Sequence, residues 1–339
     1  MQTNGFSFIE FTGTDEQELD ALFRGLGLTK TAQHKTKEIS LYEQGHIRFF
    51  MNLEQDSFAA GYARKHGPAV CGMAINVENS EAALQVALDR NAKESNSDHP
   101  IPSIEGVGQS QVYLCEEAQF QEYIESSFDP VSMPSNDVGL THVDHLANNV
   151  FTGNGKKAAA FYKDVLGFKS ITSFNIKGKV TGLKSEAIVS SCGKMRMTVN
   201  ESSDAISQIS EFLKDFNGEG VQHIALIGPD IYESMEKLLG NGVPFVGADE
   251  EYYKELENRL PKHGEDSTNM RLHKVLLDGI VDDRNGNQIL LQSFTKRVFG
   301  AFFMEIMQRK GHDGFGEGNF TAGFKAIEQD QIERGNLRA

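Results

Sequence analysis

The feature that most constrains the fold is an order of patterns that occurs twice along the chain. In the first half the apolar run FSFIEF leads into DEQELDALFRGLGL, where Leu19, Leu22, Phe23 and Leu26 fall at helical spacing and Gly27 offers a stop. In the second half THVDHLANNV leads into KKAAAFYKDVLGF, with Ala158, Phe161, Tyr162 and Val165 at the same spacing and Gly167 as its end. The pairing of a strand with an amphipathic helix then returns in each half. GPAVCGMAINV precedes SEAALQVALDRNA, and GEGVQHIALIG precedes YESMEKLLGNGV. Alternating stretches between the helices, ISLYEQGHIRFFMN and SEAIVSSCGKMRMTVNE, read as antiparallel strands. The pattern predicts an α+β protein of two domains, each made of paired β-α-β-β-β modules whose sheet curls into a half-open barrel around a cavity.

Length agrees, since 339 residues suit two units at roughly 150 residues apiece. The segment from Phe128 to Asp137 concentrates Pro, Ser, Asn and Asp between the patterned regions, as a connector does. It divides the chain into residues 1–130 and 131–339. Aligning the halves sets Val70-Cys71-Gly72 against Val221-Gln222-His223 and brings Glu10 or a neighbour opposite His145. The first half lacks these histidines, so chemistry is expected only in the second.

A net charge of −15 repels phosphate backbones and excludes nucleic acid as a natural partner. An anionic substrate would have to find its positive charge locally. No apolar run reaches the roughly 18 residues of a membrane span, and MQTNGFSFIEF has no basic segment ahead of an apolar stretch, so a cytoplasmic protein is expected. The three cysteines, Cys71, Cys115 and Cys192, are far apart and form no CxxC pair, which fits reduced structural thiols.

Ten histidines are present, and context separates two of them. His145 lies inside a strand pattern at the start of the second domain, and His223 lies in GVQHIAL at the start of its second module. Glu305 stands in FFMEIMQRKG, a carboxylate amid apolar residues on the face shared by Phe303 and Met307. Burying it unpaired would be costly, so it needs a cation. Two imidazoles and a carboxylate suit a mononuclear Fe(II) oxygenase site with open positions. Zinc is the competing reading, although HExxH spacing and a positioned water-activating glutamate are both missing. Pairing of Glu305 with Arg309 or Lys310 is the purely structural alternative.

At these residues the sequence resembles the 4-hydroxyphenylpyruvate dioxygenase family of the vicinal oxygen chelate superfamily. The resemblance spans nearly the whole chain and is most specific in VDHLANNV, FNGEGVQHIAL, ILLQSFTK, FFMEIMQRKG and GFGEGNFTAGFKAIEQDQIERG; the first domain is looser. It implies one Fe(2+) per chain held by His145, His223 and Glu305, and O2 and an aromatic α-keto acid as partners. It also implies catalytic roles for Ser185, Asn200 and Gln292, and substrate contacts at Gln208, Phe294, Phe303, Phe315, Asn319, Phe320 and Phe324. Gln222 joins the substrate set, although a regular strand would send it and its neighbour His223 to opposite faces. A homo-oligomer, dimer or tetramer, and a place in tyrosine and phenylalanine catabolism belong to the same implication.

Two positions depart from the family pattern. Thr198 stands where proline is usual, and Gly323 replaces a leucine. Hydroxymandelate synthases share the ligand set, but the retained Asn200 and Phe294 favour homogentisate as product. An extradiol-type dioxygenase and a non-enzymatic binding protein of the same fold are the remaining alternatives. The glycines at 314, 316 and 318, followed by Phe320, Phe324 and Ile327 at helical spacing, predict a terminal lid helix capped by Asn319.

Overall fold

The computed structural model describes residues 1–177, 181–282, 284, 286–316, 318–319, 331–332 and 335. The first half supplies β1 (Thr3–Thr12), β2 (Thr29–His34), β3 (Ile39–Gln44), β4 (Ile47–Asn52), β5 (Ala69–Val77), β6 (Ser103–Glu105), β7 (Gln111–Cys115) and β8 (Phe128–Pro130). They form one sheet in the order β6-β7-β5-β1-β4-β3-β2-β8. The second half supplies β9 (His142–Asn149), β10 (Lys169–Lys177), β11 (Gly182–Val189), β12 (Arg196–Glu201), β13 (Gly220–Ile227), β14 (Phe245–Val246), β15 (Leu276–Ile280), β16 (Gln288–Thr295) and β17 (Phe303–Lys310). Its order is β10-β11-β12-β9-β13-β17-β16-β14, with β15 on β16.

The two sheets repeat one scheme. Each module's first strand lies parallel to its own last strand, β1 to β4, β5 to β7, β9 to β12 and β13 to β17. The modules of a pair then meet antiparallel, β1 against β5 and β9 against β13. The expected helices occupy Glu16–Gly25, Ser80–Asp89 and Ile231–Gly240. In the first, Asp15 caps the amides of Gln17 and Glu18, and Leu19 and Phe23 face the core. The helix expected at KKAAAFYKDVLGF is α-helical only over Gly155–Ala160 and widens into a π turn over Phe161–Val165. Helices at Phe58–His66, Glu117–Ser127 and Gln208–Asp215, among others, went unread in the sequence; the first two bury few aliphatic residues, and the third, with Ile209, Phe212 and Leu213 buried, carries an amphipathic pattern that could have been found.

The halves share a continuous core. Phe11 of β1 packs edge-on against Phe299 and Phe302 of the second half, and His66 Nδ1 lies 2.7 Å from the carbonyl oxygen of Phe216. Phe320, Gly323, Phe324 and Ile327, and with them the expected lid helix, lie outside the described residues. Beyond that stretch Gln331 is buried and donates to Glu211. All three cysteines are free, and among the described residues no helix is long and apolar enough to cross a membrane.

Candidate metal centre

Register decides which side chains meet inside the second barrel. Ala225 on β13 pairs with both His145 on β9 and Glu305 on β17, while His223 lies two residues along the same strand. The three side chains therefore converge from adjacent strands, with one ligand atom from each within 4.8 Å of the others. His145 and Glu305 are buried at 3% and 2% exposure, and His223 is nearly so.

Each group has one atom committed elsewhere and one left free. Asp144 Oδ1 lies 2.9 Å from His145 Nδ1, and since a carboxylate only accepts, the proton sits on Nδ1 and leaves Nε2 open. Gln222 Oε1 lies 3.2 Å from His223 Nδ1 and has the same effect there. Gln292 Nε2 donates to Glu305 Oε1 at 2.8 Å, which leaves Oε2. The free atoms face one another: Glu305 Oε2 is 3.3 Å from His145 Nε2 and 3.7 Å from His223 Nε2. Donor atoms about 2.1 Å from one shared cation stand at most roughly 4.2 Å apart, and both separations from Glu305 Oε2 fall inside that reach, so these donors suit a single metal ion.

The electrostatics follow from this crowding. Burial disfavours a charged His145, but Glu305 and Asp144 outweigh burial and push its pKa up to about 9, so the second ring proton sits on Nε2 toward Glu305 and is the one a bound metal would displace. Burial together with the neighbouring His145 holds His223 well below the ordinary imidazole value. Burial also opposes the charge on Asp144, yet hydrogen bonds from Arg309 and His145 keep its carboxyl well below the usual range.

A cavity opens in front of the triad. Ser185, Asn200, Gln208, Gln222, Gln292, Phe294, Phe303, Phe315 and Asn319 all line it. Gln222 does so beside His223 because the register between β9 and β13 slips between Val221 and His223, a bulge that sends consecutive side chains inward. Phe303 stacks on the His223 ring at 4.6 Å, and Phe315 approaches the His145 ring edge-on at 5.3 Å. Asn200 donates to Asn149 at 3.2 Å rather than to Ser185, although the two residues are direct cross-strand partners. Gln292 also donates to the carbonyl of Phe315, so its Oε1 faces Asn319, whose Nδ2 donates to it at 2.9 Å.

Ile176, Leu183 and Thr198 line the same cavity, and the first two went unnoticed in the sequence because they read as ordinary strand residues. Asp144 and Arg309 were missed as site residues. Asp144 immediately precedes a ligand candidate, which is a usable signal. Arg309 pairs with Asp144 at 2.8 Å and Lys310 with Glu265 at 2.6 Å, which leaves neither as the counter-ion of Glu305.

The first barrel shows what the same frame becomes without ligands. Phe8 and Tyr113 both pair with Ala74, as His145 and Glu305 pair with Ala225, and Gly72 stands in the place of His223. The neighbour of Glu10 that matches His145 is thus Phe8. Glu10 is fully buried in the filled interior, bonded to His99 at 2.8 Å, to Asn52 at 2.7 Å and to Tyr113.

Two known families match the chain. One described as "Hydroxyphenylpyruvate dioxygenase, HPPD, N-terminal" covers residues 1–129, and the glyoxalase, bleomycin resistance protein and dioxygenase superfamily covers residues 142–289. A 4-hydroxyphenylpyruvate dioxygenase of Legionella pneumophila (strain Corby) is 42% identical over 99% of this chain and 97% of its own length. One of Pseudomonas aeruginosa is 42% identical over 98% of this chain and 96% of its own. Among solved structures, a triple mutant of 4-hydroxymandelate synthase from Streptomyces coelicolor superposes with a TM-score of 0.84 at 22% identity, over 98% of this chain and 100% of that one.

Proposed function

The chain belongs to the 4-hydroxyphenylpyruvate dioxygenase family, and on that premise we propose that it converts 4-hydroxyphenylpyruvate and O2 to homogentisate and CO2, a step of tyrosine catabolism. The observation that carries the reading is the meeting of three otherwise unengaged donor atoms, His145 Nε2, His223 Nε2 and Glu305 Oε2, at one buried point of the cavity. In this reading residues 1–130 are a non-catalytic domain and residues 131–339 carry the site. A cytoplasmic homo-oligomer belongs to the same reading and rests on the family.

His145, His223 and Glu305 would hold one Fe(II). Bound there, the iron supplies O2 activation and the positive charge that an α-keto acid needs in a chain of net charge −15. The chain's own residues do the rest. Phe294, Phe303 and Phe315 give the substrate ring apolar walls and keep water out. Ser185, Asn200, Gln208 and Gln222 offer hydroxyl and amide groups to the same cavity, suited to a phenol oxygen. Gln292 fixes the carboxylate of Glu305 and accepts from Asn319, another residue of the cavity lining.

The test is anaerobic loading with Fe(II), addition of 4-hydroxyphenylpyruvate and oxygen, and identification of the product by mass and chromatography. Homogentisate is expected. Dominant 4-hydroxymandelate would instead point to benzylic oxidation, with Thr198 in the cavity wall as the residue to examine.

A further inference from the structure

Arg309 sits on a circuit of contacts that the proposed reaction does not call upon. Its Nε and Nη2 donate to Asp144 Oδ2 and Oδ1, each at 2.8 Å, and Asp144 Oδ1 accepts from His145 Nδ1. Its Nη1 donates in the other direction, to the carbonyl oxygens of His312 at 3.0 Å and Gly314 at 2.5 Å. The turn so held leads into Phe315, whose ring meets His145 and whose carbonyl accepts from Gln292. Gln292 returns the path to Glu305. Two members of the triad are therefore linked by a route that passes through a wall of the cavity.

Charge neutralisation does not explain this geometry. Arg196 Nη1 already lies 3.5 Å from Asp144 Oδ2, so a cation is present beside that carboxylate without Arg309. What Arg309 adds is shape: a planar fork engages both oxygens of Asp144 and still reaches two backbone carbonyls, which a single ammonium cannot do.

We propose that Arg309 is a positioning residue that joins the aim of His145 to the seating of the 312–316 segment, so that metal binding and closure of that cavity wall reinforce each other. The inference rests on the triad being a metal site. Linkage makes the effect reciprocal: a metal that fixes His145 steadies the turn, and a loosened turn weakens the metal.

The sequence has no tryptophan, so Asp313→Trp, at a side chain 95% exposed on the turn, gives a single fluorescent reporter; it gives up a 3.7 Å pair with Arg196, so every comparison is made among proteins that all carry it and zinc affinity is also measured without it. Zinc(II), which is spectroscopically silent, is titrated into this protein and into the same protein carrying Arg309→Lys, Asp144→Asn or both. Affinity is read by chelator competition and turn mobility by tryptophan anisotropy. Arg309→Lys should keep the fold, lose about tenfold or more in zinc affinity, and lose the rise in anisotropy on binding. Asp144→Asn should act in the same direction, and the double variant should be no worse than the weaker single one. Zinc binding by Arg309→Lys within twofold of the parent, an unchanged anisotropy response, or additive losses in the double variant would each overturn the inference. Zinc affinity that survives Glu305→Ala would overturn the triad reading as well.

Discussion

Gln292 Nε2 is shared between Glu305 Oε1 at 2.8 Å and the carbonyl oxygen of Phe315 at 3.1 Å, so one amide sets both the third member of the triad and the wall beside it. Replacing it with leucine leaves Glu305 Oε1 buried without a donor and free to turn. Gln292→Leu should retain metal while turnover at saturating substrate falls about 10–100-fold, as for other residues that orient a ligand. Initial rates, with metal content measured on the same sample, check this.

Gly316 takes a positive φ of 81°, and a Cβ there would lie 2.0 Å from Gln292 Oε1. Gly316→Ala should therefore push Gln292 off Glu305 without touching the triad directly. Its kinetic signature should resemble that of Gln292→Leu, and combining the two should add little. Additive losses would show that Gly316 acts elsewhere.

In the first barrel, a Cβ on Gly72 would meet Tyr113 Cε2 at 2.7 Å and Glu10 Oε2 at 3.0 Å. Gly72→Ala should cost about 1–3 kcal/mol by overpacking, read from a denaturant midpoint, and leave metal binding unchanged. For the same reason Gly72→His cannot build a second metal site. Its ring has no space, and Phe8 and Tyr113 occupy the positions of the other two ligands.

Burial raises the carboxyl of Glu10, but the charge of His99 and hydrogen bonds from His99, Tyr113 and Asn52 outweigh it and hold the pKa below its ordinary value. A carboxylate depressed in the folded state adds stability that is fully present above the unfolded value of about 4.3 and is lost as pH falls through the folded one. Stability should therefore fall below about pH 4. Glu10→Gln should flatten that acid limb and cost about 1–3 kcal/mol at neutral pH, because buried donors lose their acceptor. Urea melts across pH 3–7 on both proteins measure this.

Much of the fold was legible because each half repeats a strand and an amphipathic helix at matching intervals, and FSFIEF and THVDHLANNV do begin equivalent strands, β1 and β9. Glu305 stood out because a carboxylate in FFMEIM has no cheap burial. Gln222 was harder, since alternation sends it away from His223 and only a bulge between paired strands reverses that. The partnership of Asp144 with Arg309, 165 residues apart, depends on how β9, β13 and β17 align, which no local pattern encodes. The crowded ring of Phe8 and Tyr113 in the first barrel was hidden for the same reason.

The most direct test of Glu305 as a metal ligand compares iron binding and oxygen uptake in the parent protein and in Glu305→Ala. Glu305 Oε2 is the atom on which the two imidazoles converge, and its loss removes the site while leaving the core intact. One Fe(II) per chain is expected in the parent, with oxygen uptake matched by homogentisate, and neither tight iron nor substrate-dependent uptake in Glu305→Ala. Parental iron affinity and uptake in that variant would contradict that role.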